Sequence, residues 1–138
     1  MADLYPGAHV APGAELGSGV TIEPGAVVHD GARIGDESTI GSCAVVRGGV
    51  GVGARCLVED GAVLGKRPRL RAGSSAAGAR PGDLIIGDGA TVCAGAVLYA
   101  GALIAAGAII GDQAQIRERS QVGERSVIGR GSCVDFDA

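Results

Sequence analysis

Tryptophan is absent from this 138-residue chain, and only Tyr5, Tyr99 and Phe136 are aromatic. A conventional globular core, which draws much of its buried area from large aromatic side chains, is excluded on that count. Proline is scarce, at five residues, and the 26 glycines follow no every-third-residue rule, which excludes a collagen-like chain. No window approaches the roughly 20 consecutive apolar residues of a membrane-spanning helix. The opening Met1-Ala-Asp-Leu-Tyr-Pro-Gly lacks the basic stretch and apolar run of a secretory signal. Twelve basic against fifteen acidic side chains leave a net charge of −3, so there is no bulk attraction toward nucleic acid. Cys43, Cys56, Cys93 and Cys133 form no CxxC pair and are spaced too widely for a disulfide framework or a zinc site. Reduced thiols in a cytoplasmic protein are the expectation.

Aliphatic residues, by contrast, are plentiful. The chain is 46% hydrophobic with a mean hydropathy of +0.31, which excludes disorder. Steps of six from Val10 meet Leu16, Ile22, Val28, Ile34, Ile40, Val46, Val52, Val58 and Leu64. After a break, steps of six from Ile86 meet Val92, Leu98, Ile104, Ile110, Ile116, Val122, Ile128 and Val134. All of these anchors are Val, Ile or Leu, although those types supply only 33 of the 138 residues. Four residues after each anchor stands Ala, Ser, Val or Cys, Pro68 excepted. Neither a 3.6-residue nor a 2.0-residue period produces a strict six. A short strand followed by a tight corner does, with one bulky and one small residue turned inward per hexad. Glycine stands three residues after eleven of the anchors, where the corner calls for positive φ. Three such strands close a triangular coil of eighteen residues, and parallel stacking buries each anchor on its equivalents, roughly 4.8 Å away per coil.

Hexads such as Ile34-Gly-Asp-Glu-Ser-Thr, Ile86-Gly-Asp-Gly-Ala-Thr and Ile110-Gly-Asp-Gln-Ala-Gln resemble the hexapeptide-repeat acyltransferase family over residues 8–138. The resemblance implies an all-β, left-handed parallel β-helix, here of about six coils, an exception to the right-handed crossover rule. A single domain over 1–138 is expected, with coils at 8–64 and 84–138. Leu64 and Ile86 are 22 residues apart, not a multiple of six, so a loop is extruded at 65–83. That stretch holds five of the twelve basic residues, Lys66, Arg67, Arg69, Arg71 and Arg80, and a long loop on an economical scaffold is commonly functional.

Outward residues precede each anchor, and residues eighteen apart share a face. The first face reads His9, Val27, Val45, Val63; the second Glu15, Arg33, Gly51, Arg69; the third Thr21, Thr39, Leu57. The valine stripe is the apolar one, and Val27, Val45 and Val63 are expected in a subunit interface. Homotrimers are what the resemblance implies. Beyond the loop the first face continues either as Thr91, Ile109 and Val127 or as Val97, Gln115 and Cys133, and apolar character favours the former.

The family's enzymes are mostly acyltransferases that use an acyl-coenzyme A donor, often with a histidine as general base at a site between subunits. A neutral imidazole suits that task. His29, at a corner after Val28, is the candidate catalytic base, with Asp30 and Glu59 as candidate orienting carboxylates; His9 lies in the first coil, where the chain frays. Some sugar N-acyltransferases of this fold lack an obvious base, and catalysis there rests on positioning. Lys66, Arg67, Arg69 and Arg71 are the candidate contacts to the phosphates of acetyl-coenzyme A or of a nucleotide-linked acceptor. A second charged run, Arg117, Glu118, Arg119, Glu124 and Arg125, resembles a segment of acyl-carrier-dependent acyltransferases and reads equally as paired surface charge. Three-histidine zinc chemistry, as in the carbonic anhydrases of this fold, needs more than two histidines, so no metal is expected.

The resemblance thus implies transfer of an acetyl group to an amino or hydroxyl group of a sugar or nucleotide-sugar. A non-catalytic binding or structural β-helix trimer is the alternative. The uncapped last coil at Val134–Ala138 leaves open a short chain, a fragment, or end-to-end association.

Overall fold

In the computed structural model, which describes residues 1–74 and 82–138, twenty short strands wind into a triangular parallel solenoid. The first face stacks β2 (His9–Val10), β5 (Val27–Val28), β8 (Val45–Val46), β11 (Val63–Lys66), β14 (Val97–Tyr99), β17 (Gln115–Ile116) and β20 (Cys133–Val134). The second stacks β3 (Glu15–Leu16), β6 (Arg33–Ile34), β9 (Gly51–Val52), β12 (Ile85–Ile86), β15 (Leu103–Ile104) and β18 (Gln121–Val122). The third stacks β1 (Asp3–Leu4), β4 (Thr21–Ile22), β7 (Thr39–Ile40), β10 (Leu57–Val58), β13 (Thr91–Val92), β16 (Ile109–Ile110) and β19 (Val127–Ile128). Two faces carry seven strands: the anchors counted from Val10 give seven on the first face and six on each of the others, and the third gains one more. The extra strand is β1, whose Leu4 sits one hexad before Val10 and pairs with Ile22.

Each hexad does the same work. The anchors Ile22, Ile40, Leu64, Leu98 and Ile110 are fully buried, as are their small partners Ala26, Ala44, Ala102 and Ala114. Truncating one such anchor to alanine costs about 2–5 kcal/mol, because its stacked neighbours close the cavity only in part. The Ile-Gly-Asp corners have a physical cause. A Cβ at Gly35 would stand 2.5 Å from the Gly53 carbonyl carbon of the next coil, so only glycine fits there. The following aspartate accepts a backbone N–H from the coil below, as Asp36 does from Ser18 at 2.9 Å and Asp88 from Ala54 at 2.9 Å. Positive φ also extends to corners without glycine: Glu37, Cys43, Arg55, Gln113, Arg119, Arg125 and Asp137 all lie near φ 54–61°.

The register settles the interruption. Gly51 pairs with Ile85, Leu57 with Thr91 and Val63 with Val97, each 34 residues apart where other pairs are 18 apart. One corner, between the first and second faces, thus carries 16 extra residues and no strand is skipped. Two expectations are corrected by this. The first face continues as Val97, Gln115 and Cys133, while Thr91, Ile109 and Val127 belong to the third. The second face continues from Gly51 to Ile85, and Arg69 lies in the widened corner, not on a strand.

Val27, Val45 and Val63 are half-buried within the chain itself. Apolar side chains are more exposed on the other two faces: Ile85 and Leu103 on the second, Leu57, Ile109 and Val127 on the third. No helix of the described residues is long and apolar enough to cross a membrane.

Candidate active site

Residues eighteen apart stack at edges as they do on faces. At the edge between the first and second faces, the residue after each anchor is His29, then Arg47, then Gly65 where the chain leaves the solenoid. Gly65 is buried with φ +89°, and a Cβ on it would lie 2.5 Å from Val50 Cγ2 and 3.0 Å from Arg47 Cβ. The outgoing strand therefore lies directly on the coil below. The returning chain does the same, with the Asp83 carboxylate resting on Gly49.

Against the outgoing stem opens a cleft of about 640 Å³. Gly48, Gly49 and Gly65 contribute backbone to its lining, and His29, Arg47, Lys66, Arg67 and Arg69 contribute side chains. The structure thus brings four of the five sequence-selected site residues, His29, Lys66, Arg67 and Arg69, to one cavity. Arg71 is exposed and does not line it. Arg80 lies outside the described residues. Arg47 was missed by sequence reasoning, although its position eighteen residues after His29 was a sufficient signal.

Among the described residues, none of Arg47, Lys66, Arg67, Arg69 or Arg71 is ion-paired with a carboxylate. Unpaired guanidinium groups around a concave surface favour a ligand with phosphate or carboxylate oxygens. His29 is half-buried, and its ring has no hydrogen-bond partner among the described residues. Its two candidate orienting carboxylates do not serve that role. Asp30 lines the cleft, but its Oδ1 accepts the Gly13 N–H at 2.8 Å. Glu59 stands at a different edge, between the third and first faces, where its Oε1 accepts the Ala94 N–H at 3.0 Å.

The second charged run divides between edges. Arg117, Glu118 and Arg119 share the loop-bearing edge, two coils beyond Lys66, whereas Glu124 and Arg125 lie on another. Both arginines of the first group are paired with carboxylates. Arg117 Nε donates to the fully buried Glu118 at 2.9 Å, and Arg119 Nε donates to Asp137 at 2.6 Å. Those hydrogen bonds are the leading reason that both guanidinium groups are held above their usual pKa.

The cysteines are all free. Cys56 is buried, donates to the Gly87 carbonyl at 3.1 Å, and has its thiol pKa pushed up by burial. Glu59, Cys93 and Asp112 bring ligand atoms within 4.8 Å of one another. Burial first, then the two carboxylates, push the Cys93 thiol pKa up, so without a bound cation it stands protonated at neutral pH and is a poor nucleophile.

No family model matches the chain, and no curated protein matches it in sequence. Solved structures do. The acetyltransferase domain of PglB from Neisseria gonorrhoeae FA1090 aligns with TM-score 0.78 at 21% identity, covering 94% of this chain and 54% of that one. The chain is a left-handed parallel β-helix. It has the fold of hexapeptide-repeat acetyltransferases. A second match is the H141N mutant of perosamine N-acetyltransferase from Caulobacter crescentus, in complex with CoA and GDP-perosamine. It aligns with TM-score 0.69 at 23% identity, over 97% of this chain and 52% of that one. The UDP-N-acetylglucosamine acyltransferase from Campylobacter jejuni aligns with TM-score 0.58 at 20% identity, over 97% and 68%. The chain spans about half the length of the first two of these structures.

Proposed function

We propose that this chain is a coenzyme-A-dependent acyltransferase, moving an acetyl group from acetyl-coenzyme A to an amino or hydroxyl group of a sugar or nucleotide-sugar. The observation that carries the reading is the cleft, where one imidazole and a set of cations unpaired with carboxylates meet at the start of the insertion on this fold. The matched structures, an acetyltransferase domain, an N-acetyltransferase with CoA and GDP-perosamine, and a nucleotide-sugar acyltransferase, support the donor and acceptor classes.

In this reading Lys66, Arg67 and Arg69 hold donor phosphates by charge-assisted hydrogen bonds, with Arg71 approaching from the exposed loop. Arg47 adds a further cation at the base. The His29 imidazole takes the proton from the acceptor amine or hydroxyl as its lone pair attacks the thioester carbonyl. The new C–N or C–O bond forms as the C–S bond breaks, and the coenzyme leaves as thiolate. Glycines at the cleft wall let an extended ligand approach the backbone.

The functional unit is a homotrimer in the cytoplasm, with a small-molecule acceptor and without nucleic acid or membrane. Val27, Val45 and Val63 form its interface, next to the loop-bearing edge. The exposed Ile85 and Leu103 favour a second reading, in which the second face is buried instead. Calorimetric titration with acetyl-coenzyme A tests the function, with Arg67→Ala/Arg69→Ala beside the unmodified protein. Binding that weakens at least tenfold in the variant supports the reading, and unchanged binding removes the cleft from it.

A further inference from the structure

Lys66 differs from the other cations of the cleft in being tied down. It ends β11, where the ladder to β14 slips by one residue between Leu64 and Lys66. Its carbonyl accepts the Ala100 N–H at 2.9 Å, and its Nζ lies 5.6 Å from the centre of the Tyr99 ring. The Arg117 guanidinium lies 4.6 Å from the centre of the same ring. Arg117 is in turn fixed by two hydrogen bonds to Glu118, at 2.9 and 3.4 Å, and Glu118 is fully buried. A buried carboxylate of this kind has few alternative partners, so it holds the guanidinium in one place. Contacts therefore run through three successive coils, from Glu118 through Arg117 and Tyr99 to Lys66, and end at the stem of the loop.

We infer that Tyr99, framed by Arg117 and Glu118, is a positioning residue that sets the Lys66 ammonium at the cleft for the anionic ligand. The physical content is cation–π attraction combined with saved side-chain entropy. A free lysine samples many rotamers and loses them on binding, whereas one already held beside an aromatic ring loses fewer. Tyr99 itself does not line the cleft. The inference rests on the phosphate-binding reading of the cleft, but Lys66 placement can be measured without any ligand.

The test compares the unmodified chain with Tyr99→Leu, Tyr99→Phe, Lys66→Ala and the Tyr99→Leu/Lys66→Ala double variant. Without ligand, the ε-methylene protons of Lys66 are expected upfield of a free lysine, through the ring current of Tyr99. That displacement persists in Tyr99→Phe and vanishes in Tyr99→Leu. In acetyl-coenzyme A titrations, Tyr99→Leu weakens binding by about two- to fivefold, the range of a cation–π contact, and Tyr99→Phe stays within about twofold. In the Lys66→Ala background Tyr99→Leu causes no further loss. An undisplaced Lys66 signal in the unmodified chain overturns the inference, as does an equal loss on Tyr99→Leu whether or not Lys66 is present. A displaced signal in a chain that binds neither acetyl-coenzyme A nor inorganic pyrophosphate supports the Lys66 placement and overturns the acyl-donor reading.

Discussion

Replacing Gly65 by alanine tests how the loop is seated on the solenoid. The residue is buried at φ +89°, and its new Cβ would stand 2.5 Å from Val50 Cγ2 and 3.0 Å from Arg47 Cβ. The backbone conformation alone costs an L-residue about 1–2 kcal/mol. Forcing a methyl group against a packed valine adds about 1–3 kcal/mol. Together these make about 2–5 kcal/mol, and with a urea slope of about 2 kcal/mol per molar the midpoint falls by about 1–2.5 M. Gly89→Ala supplies the control, because Gly89 has φ +70° with nothing within 4 Å of its added Cβ. It bears the backbone cost alone, a fall of about 0.5–1 M on the same slope. Gly65→Ala also displaces Arg47 and the start of the loop, so its acetyl-coenzyme A affinity drops while that of Gly89→Ala does not. Equal midpoint shifts for the two variants would refute the close seating of the loop stem.

Other outcomes follow from the same geometry. His29→Ala lowers kcat by about 10²–10⁴ as loss of a general base, with acetyl-coenzyme A affinity kept within a few-fold; a kcat change below tenfold removes His29 from proton transfer. Val45→Arg places a charge on the first face and Leu103→Arg one on the second, and whichever shifts the sedimentation profile toward monomer identifies the interface. Cys93, with its thiol pKa raised by burial and two carboxylates, reacts with iodoacetamide at pH 8 more slowly than a free cysteine peptide; parity contradicts that environment. The raised Cys56 and Cys93 values also fix a sign. Their stabilising contribution is complete below the unfolded thiol value of about 8.5 and declines as pH rises through the raised folded values. Urea midpoints should therefore fall on the alkaline side, and less so in Cys56→Ala.

The solenoid was legible because every coil repeats the same inward demand: a branched aliphatic at the anchor and a small residue four positions on. The strand at Asp3–Leu4 lies before the hexads that start at Val10, although Leu4 keeps their phase. Continuation beyond the loop was misassigned for a different reason. Apolar character at outward positions carries no phase, and Ile109 and Val127 are exposed on the third face while Gln115 and Cys133 continue the first. Phase lies in the anchors. Leu64 and Ile86 are consecutive ones, so the 16-residue insertion widens a single corner. The same counting explains the site. His29 and Arg47 are eighteen apart and stack beside Gly65, whereas Glu59 is five hexads from His29 and stands at another edge. The pairing of Arg117 with Glu118, and the contact of both Lys66 and Arg117 with Tyr99, depends on side-chain directions that a hexad pattern does not encode.

The central claim, that the cleft at the loop-bearing edge holds an acyl donor, is tested most directly by calorimetric titration of acetyl-coenzyme A into the unmodified chain and into Arg67→Ala/Arg69→Ala. One site per chain is expected in the unmodified protein and at least tenfold weaker binding in the variant, with the loss shrinking as salt screens the phosphates. Equal affinity in both proteins, or no binding by a folded unmodified chain, would contradict it.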